Sequence, residues 1–262
     1  IWAPTQSPGG ARRAVAEAIG LNQGDVLVHV TFLGGGFGRR YESDFVVEAA
    51  NISKAVNAPI KVCWTRDDDM QHDWYRPTSL HHLNAGLNER GELVAFKHKI
   101  IGPSIDGQRR PQRVRGGLDH DAVEGAVGLE YEIPNSRIEY VMANSAVPVG
   151  WWRSVYASQN VFVLESFVDE LAYAAAKDPL EFRRQLLRKD SRMKKVLEIV
   201  AEKSAWGSPM PKGQSRGMAC APPAFFGSYV AHVVEISIEV NTVKVHRVVT
   251  AVDCGICVNP DS

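Results

Sequence analysis

No apolar run in this sequence approaches the ~20 residues that a membrane span requires, and no signal-peptide pattern opens it. Net charge is also missing. Thirty basic side chains cancel thirty acidic ones, so no global field draws the chain to nucleic acid or an anionic membrane. Four cysteines in 262 residues (Cys63, Cys220, Cys254, Cys257) are too few and too scattered for a disulfide framework. Cys254-Gly255-Ile256-Cys257 leaves zinc and redox readings open. A zinc site, however, lacks a second ligand pair of compatible spacing, and a redox motif lacks a following helix, which Pro260 disfavours. Internal repeats and low-complexity tracts are absent. There is no initiator Met: the chain opens on Ile1 inside strand-like sequence and stops after a turn signal at Asp261-Ser262. We therefore expect a piece of a longer polypeptide. What is present is ordinary globular composition, 45% hydrophobic and 23% charged, with ample core for one large domain or two small ones.

The most distinctive stretch is Leu33-Gly34-Gly35-Gly36-Phe37-Gly38-Arg39-Arg40, preceded by the apolar run Val26 to Val30 and followed by a helical pattern from Ser43 to about Asn57. Glycine adopts positive φ and carries no Cβ, so such a loop lets backbone press against a ligand. A strand-to-helix junction also offers free N–H groups and a positive dipole end to an anion. The two standard phosphate loops both fail here. Arg39-Arg40-Tyr41 stands where one needs Lys followed by Ser or Thr, and the glycine spacing does not meet the dinucleotide fingerprint. The alternative is a hairpin or bulge with no ligand.

Along the chain, Ile1 to Gln6 predicts a short strand, Gly9 to Gly20 a helix and Ile60 to Trp64 another strand, which together argue for α/β layering. Asp67-Asp68-Asp69 with His72 and Asp73 offers ligands for a hard metal, against which stands a short helix with an acidic first turn. Leu80 to Leu87 and Leu93 to Ile101 form a hairpin around Asn88 to Gly91. Residues 102–130, with Arg109, Arg110, Arg113 and Arg115, read as a solvated loop, since no aromatic interleaving supports stacking on bases. Ser136 to Ala146 is strand-like and leads to Trp151-Trp152-Arg153 on a Gly/Pro-flanked loop. Three helices follow, at about 158–176, from Asp178-Pro179, and at about 191–203. Tyr229 to Val240 and Val243 to Asp253 alternate as strands. The organisation expected is a first region over residues 1–206, a linker at 207–213 and the beginning of a second, β-rich region at 214–262, all in a mixed α+β fold.

Several segments together resemble the molybdenum-binding subunit of the xanthine dehydrogenase/aldehyde oxidoreductase family, in the branch typified by the isoquinoline 1-oxidoreductase beta subunit. They are Trp2 to Gln6, Gly34 to Arg40, Arg66 to Met70 with Arg76-Pro77, Trp152-Arg153-Ser154 with Gln159, and Ala251 to Gly255 with Val258-Asn259-Pro260. The resemblance implies a molybdopterin-binding domain of aldehyde oxidoreductase type, incomplete at both ends. It also implies hydroxylation of aldehydes or N-heteroaromatic compounds with water as oxygen donor. The cofactor implied is molybdopterin, in its cytosine dinucleotide form, with molybdenum. Electrons would leave through iron–sulfur clusters on a partner subunit, and a periplasmic or membrane-associated parent is compatible with this likeness.

By the same resemblance, Gln6 would hydrogen-bond an oxo ligand of the metal, and Phe37 would present its backbone N–H beside it among Gly35, Gly36 and Gly38. Arg153 would join the cofactor site, while Tyr41 and Trp152 would wall the substrate pocket. The xanthine-oxidising branch ends this loop Gly-Gly-Lys-Glu. Here it ends Gly38-Arg39-Arg40-Tyr41, so a purine-recognising glutamate is missing. The family's general-base motif, Gly-Val-Gly-Glu, is not found in this sequence, and no residue is assigned as catalytic base or metal ligand. The competing expectation is a folded scaffold that no longer binds cofactor.

Overall fold

A computed structural model describes residues 1–223 and 227–261 as two compact units. Ser262, the end of the expected second region, lies outside the described residues. The first unit comprises residues 1–78, 103–114 and 143–155, and the second comprises 79–102, 115–142 and the chain from Tyr156 onward. Residues 207–213 thus fall inside the second unit.

In the first unit, strand β1 (Trp2–Ala3) leads through helix α1 (Pro8–Ile19) to strand β2 (His29–Val30), which pairs parallel with β1. Pro8 opens α1 with a φ already set for a helix, and Gly20 closes it in the left-handed region at φ 73°. The strand expected over Val26 to Val30 is cut to two residues. A turn at Gln23–Asp25 occupies its approach, and Pro4, which has no N–H to donate, ends its partner. Helix α2 (Asp44–Val56) lays Val46 and Ala50 against Ala11, Val15 and Ala16 of α1, with Ala3 and Val26 completing a small core.

Ile60 to Trp64 alternates half-buried and exposed but joins no sheet, correcting the expected strand. Its one-residue alternation has no neighbouring ladder to use. Helix α3 (Arg66–Gln71) starts with a reciprocal cap in which Asp68 N–H donates to Thr65 Oγ1 and Thr65 N–H to Asp68 Oδ2. Asp69 pairs with Arg66 and Asp73 takes Arg39, so the acidic run serves local structure. Helix α4 (Ile105–Arg109) completes the unit.

The second unit begins with the hairpin of β3 (Leu80–Leu87) and β4 (Leu93–Gly102), whose turn uses Gly91 at φ 66°. Strand β5 (Asn135–Met142) adds parallel to β4. Helices α5 (Ala157–Ala174), α6 (Pro179–Leu186) and α7 (Arg192–Lys203) follow. Asp178 caps α6 and Ser191 caps α7 through their side-chain oxygens. Strands β6 (Gln214–Ala221), β7 (Tyr229–Glu239) and β8 (Thr242–Asp253) form an antiparallel sheet. One core gathers Leu93 and Phe96 with Leu164, Val168, Leu197, Val200, Met218, Val233 and Ala251.

The expected solvated loop over 102–130 is corrected as well. It contains α4 and turns at Pro111–Arg113 and Asp121–Val123, and it buries Ile105, Ala122, Val123 and Ala126. Pieces this short complete too few turns to show a period in sequence.

Two buried polar groups in the second unit carry predictions. Glu165 on α5 accepts from Arg183 Nε at 3.0 Å, from Tyr131 Oη at 2.7 Å and from the Cys220 N–H at 2.9 Å. Arg183 is fully buried, and burial opposes its charge, but Glu165 and Asp169 hold it protonated. Burial pushes the Cys220 thiol up, which makes it an inert core residue. Glu165→Ala leaves the guanidinium buried beside Asp169 alone, and we expect a loss of about 3–5 kcal/mol in denaturant unfolding.

The second group is a histidine pair on β3 and β4. His81 Nδ1 lies 2.8 Å from His98 Nε2, and His81 Nε2 lies 2.8 Å from Ser79 Oγ. His98 is fully buried and its Nδ1 has no partner. A bare acceptor is the less costly state there, so His98 donates from Nε2 and stays neutral. Burial, then the neighbouring His81, lower its pKa to about 4. In the unfolded chain it titrates near 6.5. Between these values the unfolded chain binds more protons, so this contribution is complete above about pH 6.5 and falls with pH down to about 4. Unfolding free energy should lose up to about 3 kcal/mol across that window. In His98→Gln the slope should flatten, read by urea titration at a series of pH values.

Candidate functional site

The glycine loop of the first unit does not run straight into α2. A single 3-10 turn, Arg39–Tyr41, stands between them. Arg39 donates from both terminal nitrogens to the Asp44 carboxylate, each at 2.9 Å, and also pairs with Asp73. Burial works against charge on Asp44, yet the Arg39 fork and the Trp74 indole N–H hold its carboxyl below the usual range. The start of α2 is therefore occupied by an internal ion pair. This corrects the expectation that the helix dipole there would face an anion.

The loop itself is the open feature. Gly34, Gly35 and Gly38 take φ of 66°, 139° and 88°, and Phe37 joins them at 52°. Gly36 is not in the left-handed region; its constraint is space. A Cβ there would run into the Gln6 side chain, lying only 2.5 Å from its Cγ. Gln6 is anchored by its own N–H, which donates to Arg40 O at 2.8 Å, while its Oε1 accepts from Gly38 N–H at 2.9 Å. With the carbonyl oxygen taken, the carboxamide presents Nε2 as a neutral donor. The backbone N–H groups of Gly35, Gly36 and Phe37 find no acceptor among the described residues.

A second segment, 148–155, closes against this loop. Arg153 N–H donates to Phe37 O at 2.8 Å, and a Cβ on Gly38 would lie 2.5 Å from Trp151 O. Gly38 thus lets two backbones meet. The Tyr41 ring stands edge-on to Trp151, with centroids 5.4 Å apart. Three arginines stack on three indoles around it. Arg109 lies 3.8 Å from the Trp74 centroid, Arg110 4.3 Å from Trp151 and Arg76 5.3 Å from Trp152. Arg109 also pairs with Glu42, and Arg110 with Asp106 at 2.7 Å. The Arg153 guanidinium is exposed, with no partner among the described residues.

All eight residues singled out in the sequence fall in this unit. The geometry joins Gln6 to Gly36 and Gly38, and Phe37 to Arg153. Tyr41 contacts Trp151, while Trp152 lies under Arg76. Sequence reasoning did not single out Trp74, Trp151, Arg109 and Arg110 as parts of this surround. Their signal, two of the four arginines in 102–130 and two of the indoles, becomes a pattern only once the chain is folded.

The donor set suits an anionic, oxo-bearing group: one neutral amide N–H donor together with three backbone N–H groups and a guanidinium that have no partner among the described residues. Residues 1–187 match the molybdopterin cofactor-binding domain family. The chain belongs to that family. It is 30% identical over 267 residues to the beta subunit of isoquinoline 1-oxidoreductase from Brevundimonas diminuta, covering 99% of this chain and 34% of the relative. A membrane-bound aldehyde dehydrogenase (pyrroloquinoline-quinone) of Gluconacetobacter polyoxogenes is 28% identical, with 94% of this chain and 35% of that protein covered. Among solved structures, quinoline 2-oxidoreductase from Pseudomonas putida 86 superposes with a TM-score of 0.64 at 17% identity, over 89% of this chain and 31% of its own. The chain thus spans about a third of the length of these relatives, and the mixed helix-and-sheet fold is that of molybdopterin-binding domains.

Because Gly36 is constrained by Gln6 and not by φ, Gly36→Val should expel the Gln6 side chain from the loop. The small core of α1 and α2 does not touch that glycine. The valine also displaces the loop amides of Gly35, Gly36 and Phe37, a larger change than loss of the Gln6 side chain alone. In a protein carrying this domain, we therefore expect molybdenum content and turnover to collapse while the unfolding midpoint stays within a few degrees of wild type. Metal analysis and calorimetry on the same preparations check this.

Proposed function

We propose that this chain forms one wall of the cofactor site in the large subunit of a molybdenum hydroxylase that oxidises aldehydes or N-heteroaromatic compounds with water as oxygen donor. The reading rests on one observation: Gln6 is locked against the glycine loop by Gly38 N–H, with Nε2 and three backbone N–H groups left as donors. When bound, the molybdenum cofactor supplies the two-electron chemistry by which oxygen from water enters an electron-poor carbon.

In this proposal Gln6, Gly35, Gly36, Phe37, Gly38 and Arg153 hold the cofactor. Gln6 Nε2 donates a neutral hydrogen bond, which orients an oxo group without cancelling charge where charge changes during reaction. The amides of Gly36 and Phe37 add donors that need no reorganisation, because their loop is already folded. Arg153 brings positive charge to an anionic group. Tyr41 and Trp152 give the substrate an aromatic wall suited to planar rings. The likeness to isoquinoline 1-oxidoreductase supports the cytosine dinucleotide form of the cofactor and iron–sulfur clusters on a small partner subunit. We further propose that residues 1–206 form a first cofactor-binding region, within which the family match over 1–187 falls, and that 214–262 begin a second.

The test is made in the full-length protein that carries this domain. Wild-type protein should contain molybdenum and oxidise aldehydes or N-heterocycles with incorporation of oxygen from labelled water. In Gln6→Ala, turnover should fall on the order of 10²-fold with molybdenum content retained, since one preorganised donor is lost among many cofactor contacts. Full turnover at full molybdenum occupancy would remove Gln6 from the site. Wild-type protein without molybdenum would mark the domain as a scaffold.

A further inference from the structure

The segment closing on the glycine loop holds two adjacent non-glycine residues in the left-handed region, Ser154 at φ 63° and Val155 at φ 42°. For a β-branched residue this is a genuine outlier, and such a backbone persists only where its surroundings hold it. The holder is visible. Arg76 donates from Nη1 to Val155 O at 2.6 Å and from Nη2 to Arg153 O at 2.8 Å, one carbonyl on each side of Ser154. Its guanidinium lies 5.3 Å from the Trp152 centroid, so the same group braces the indole. The N–H of the strained segment's first residue, Arg153, donates to Phe37 O in the middle of the glycine loop. Arg76 itself is followed by Pro77, which fixes the backbone direction just beyond it.

We infer that Arg76 is a positioning residue: it clamps residues 153–155 in their strained path and so sets Trp152 and Arg153 against the glycine loop. This rests on the reading of that loop as the edge of the cofactor site. Arg76 acts on the loop through the peptide of Arg153 and the face of Trp152. A lysine keeps the charge but not the planar fork that reaches two carbonyls at once.

The experiment uses Arg76→Lys and Arg76→Met in the full-length protein, with two readouts. The first is trypsin cleavage after Arg153, followed by mass spectrometry of the new terminus at Ser154; Pro77 protects position 76 itself from trypsin. Both variants should be cut on the order of 10-fold faster, because the clamped segment opens more often. The second is the kinetic split for an aldehyde or N-heterocycle. KM should rise on the order of 10-fold, with kcat, molybdenum content and the unfolding midpoint close to wild type, because Trp152 of the substrate wall is displaced while Gln6 and the glycine-loop amides, which make most of the cofactor contacts, stay in place. Val155→Gly placed in the Arg76→Lys background should recover most of the KM, since glycine takes that φ without strain.

Wild-type cleavage and wild-type KM in both variants would overturn the inference. So would a parallel fall in unfolding midpoint, molybdenum and kcat, which marks a purely structural residue. Faster cleavage in a protein that holds no molybdenum would uphold the clamp and overturn the cofactor reading.

Discussion

The hydrogen bond from Gly38 N–H to Gln6 Oε1 is the constraint on which the rest of the candidate site depends. It joins residues 32 positions apart, and it decides which end of the Gln6 carboxamide faces outward. Two glycines make it possible for different reasons. Gly36 leaves room for the Gln6 side chain, and Gly38 takes a φ of 88° that turns its N–H inward while letting Trp151 O approach. A side chain at either position would break the arrangement sterically. The loop is therefore defined less by its own conformation than by what its missing Cβ atoms admit.

Charge is arranged around this loop so that little of it is left over. Arg39 is held by Asp44 and Asp73, Arg109 by Glu42, and Arg110 by Asp106, and the last two also cover indoles. Arg153 alone among these carries no partner among the described residues. In a chain of zero formal net charge, the Arg153 guanidinium beside backbone amides that lack acceptors among the described residues contributes to a local field that the composition does not show. The fully buried Arg183 follows the opposite logic: its partners are complete, and it serves the core.

Much of this was legible in the sequence where a local rule decides the outcome. The capped helices after Asp178 and Ser191, the hairpin around Gly91 and the long strands β7 and β8 follow from short-range chemistry, and they stand where the sequence placed them. Ile60 to Trp64 alternates correctly but has no ladder, because strand formation needs a neighbour that no local pattern reveals. Residues 102–130 looked structureless because helical pieces of three to five residues complete too few turns to show a period. Glu165 sits on the apolar face of α5, where spacing predicts hydrophobic residues, and only folding brings Arg183 and Tyr131 to it. At the site, the glycine loop was marked by its own residues, and Gln6 and Arg153 by resemblance. That Gly36 is a matter of space rather than φ required coordinates.

The first unit has little regular structure with which to aim anything. Its sheet is two strands of two residues each, and two of its helices are short. Positional accuracy must then come from side chains that bind backbone, and the unit uses this device repeatedly. Gln6 holds Gly38, Arg76 holds Arg153 and Val155, and Gln108 Oε1 accepts from Val149 N–H at 3.0 Å. Each bond fixes a segment that lies outside the named strands. Such bonds add only about 1 kcal/mol apiece to net stability, yet each sets the course of a loop that carries donors. Substitutions at these positions should therefore register more strongly in the geometry of a bound ligand than in the melting of the fold, and in this they differ from the buried ion pair of Glu165 and Arg183.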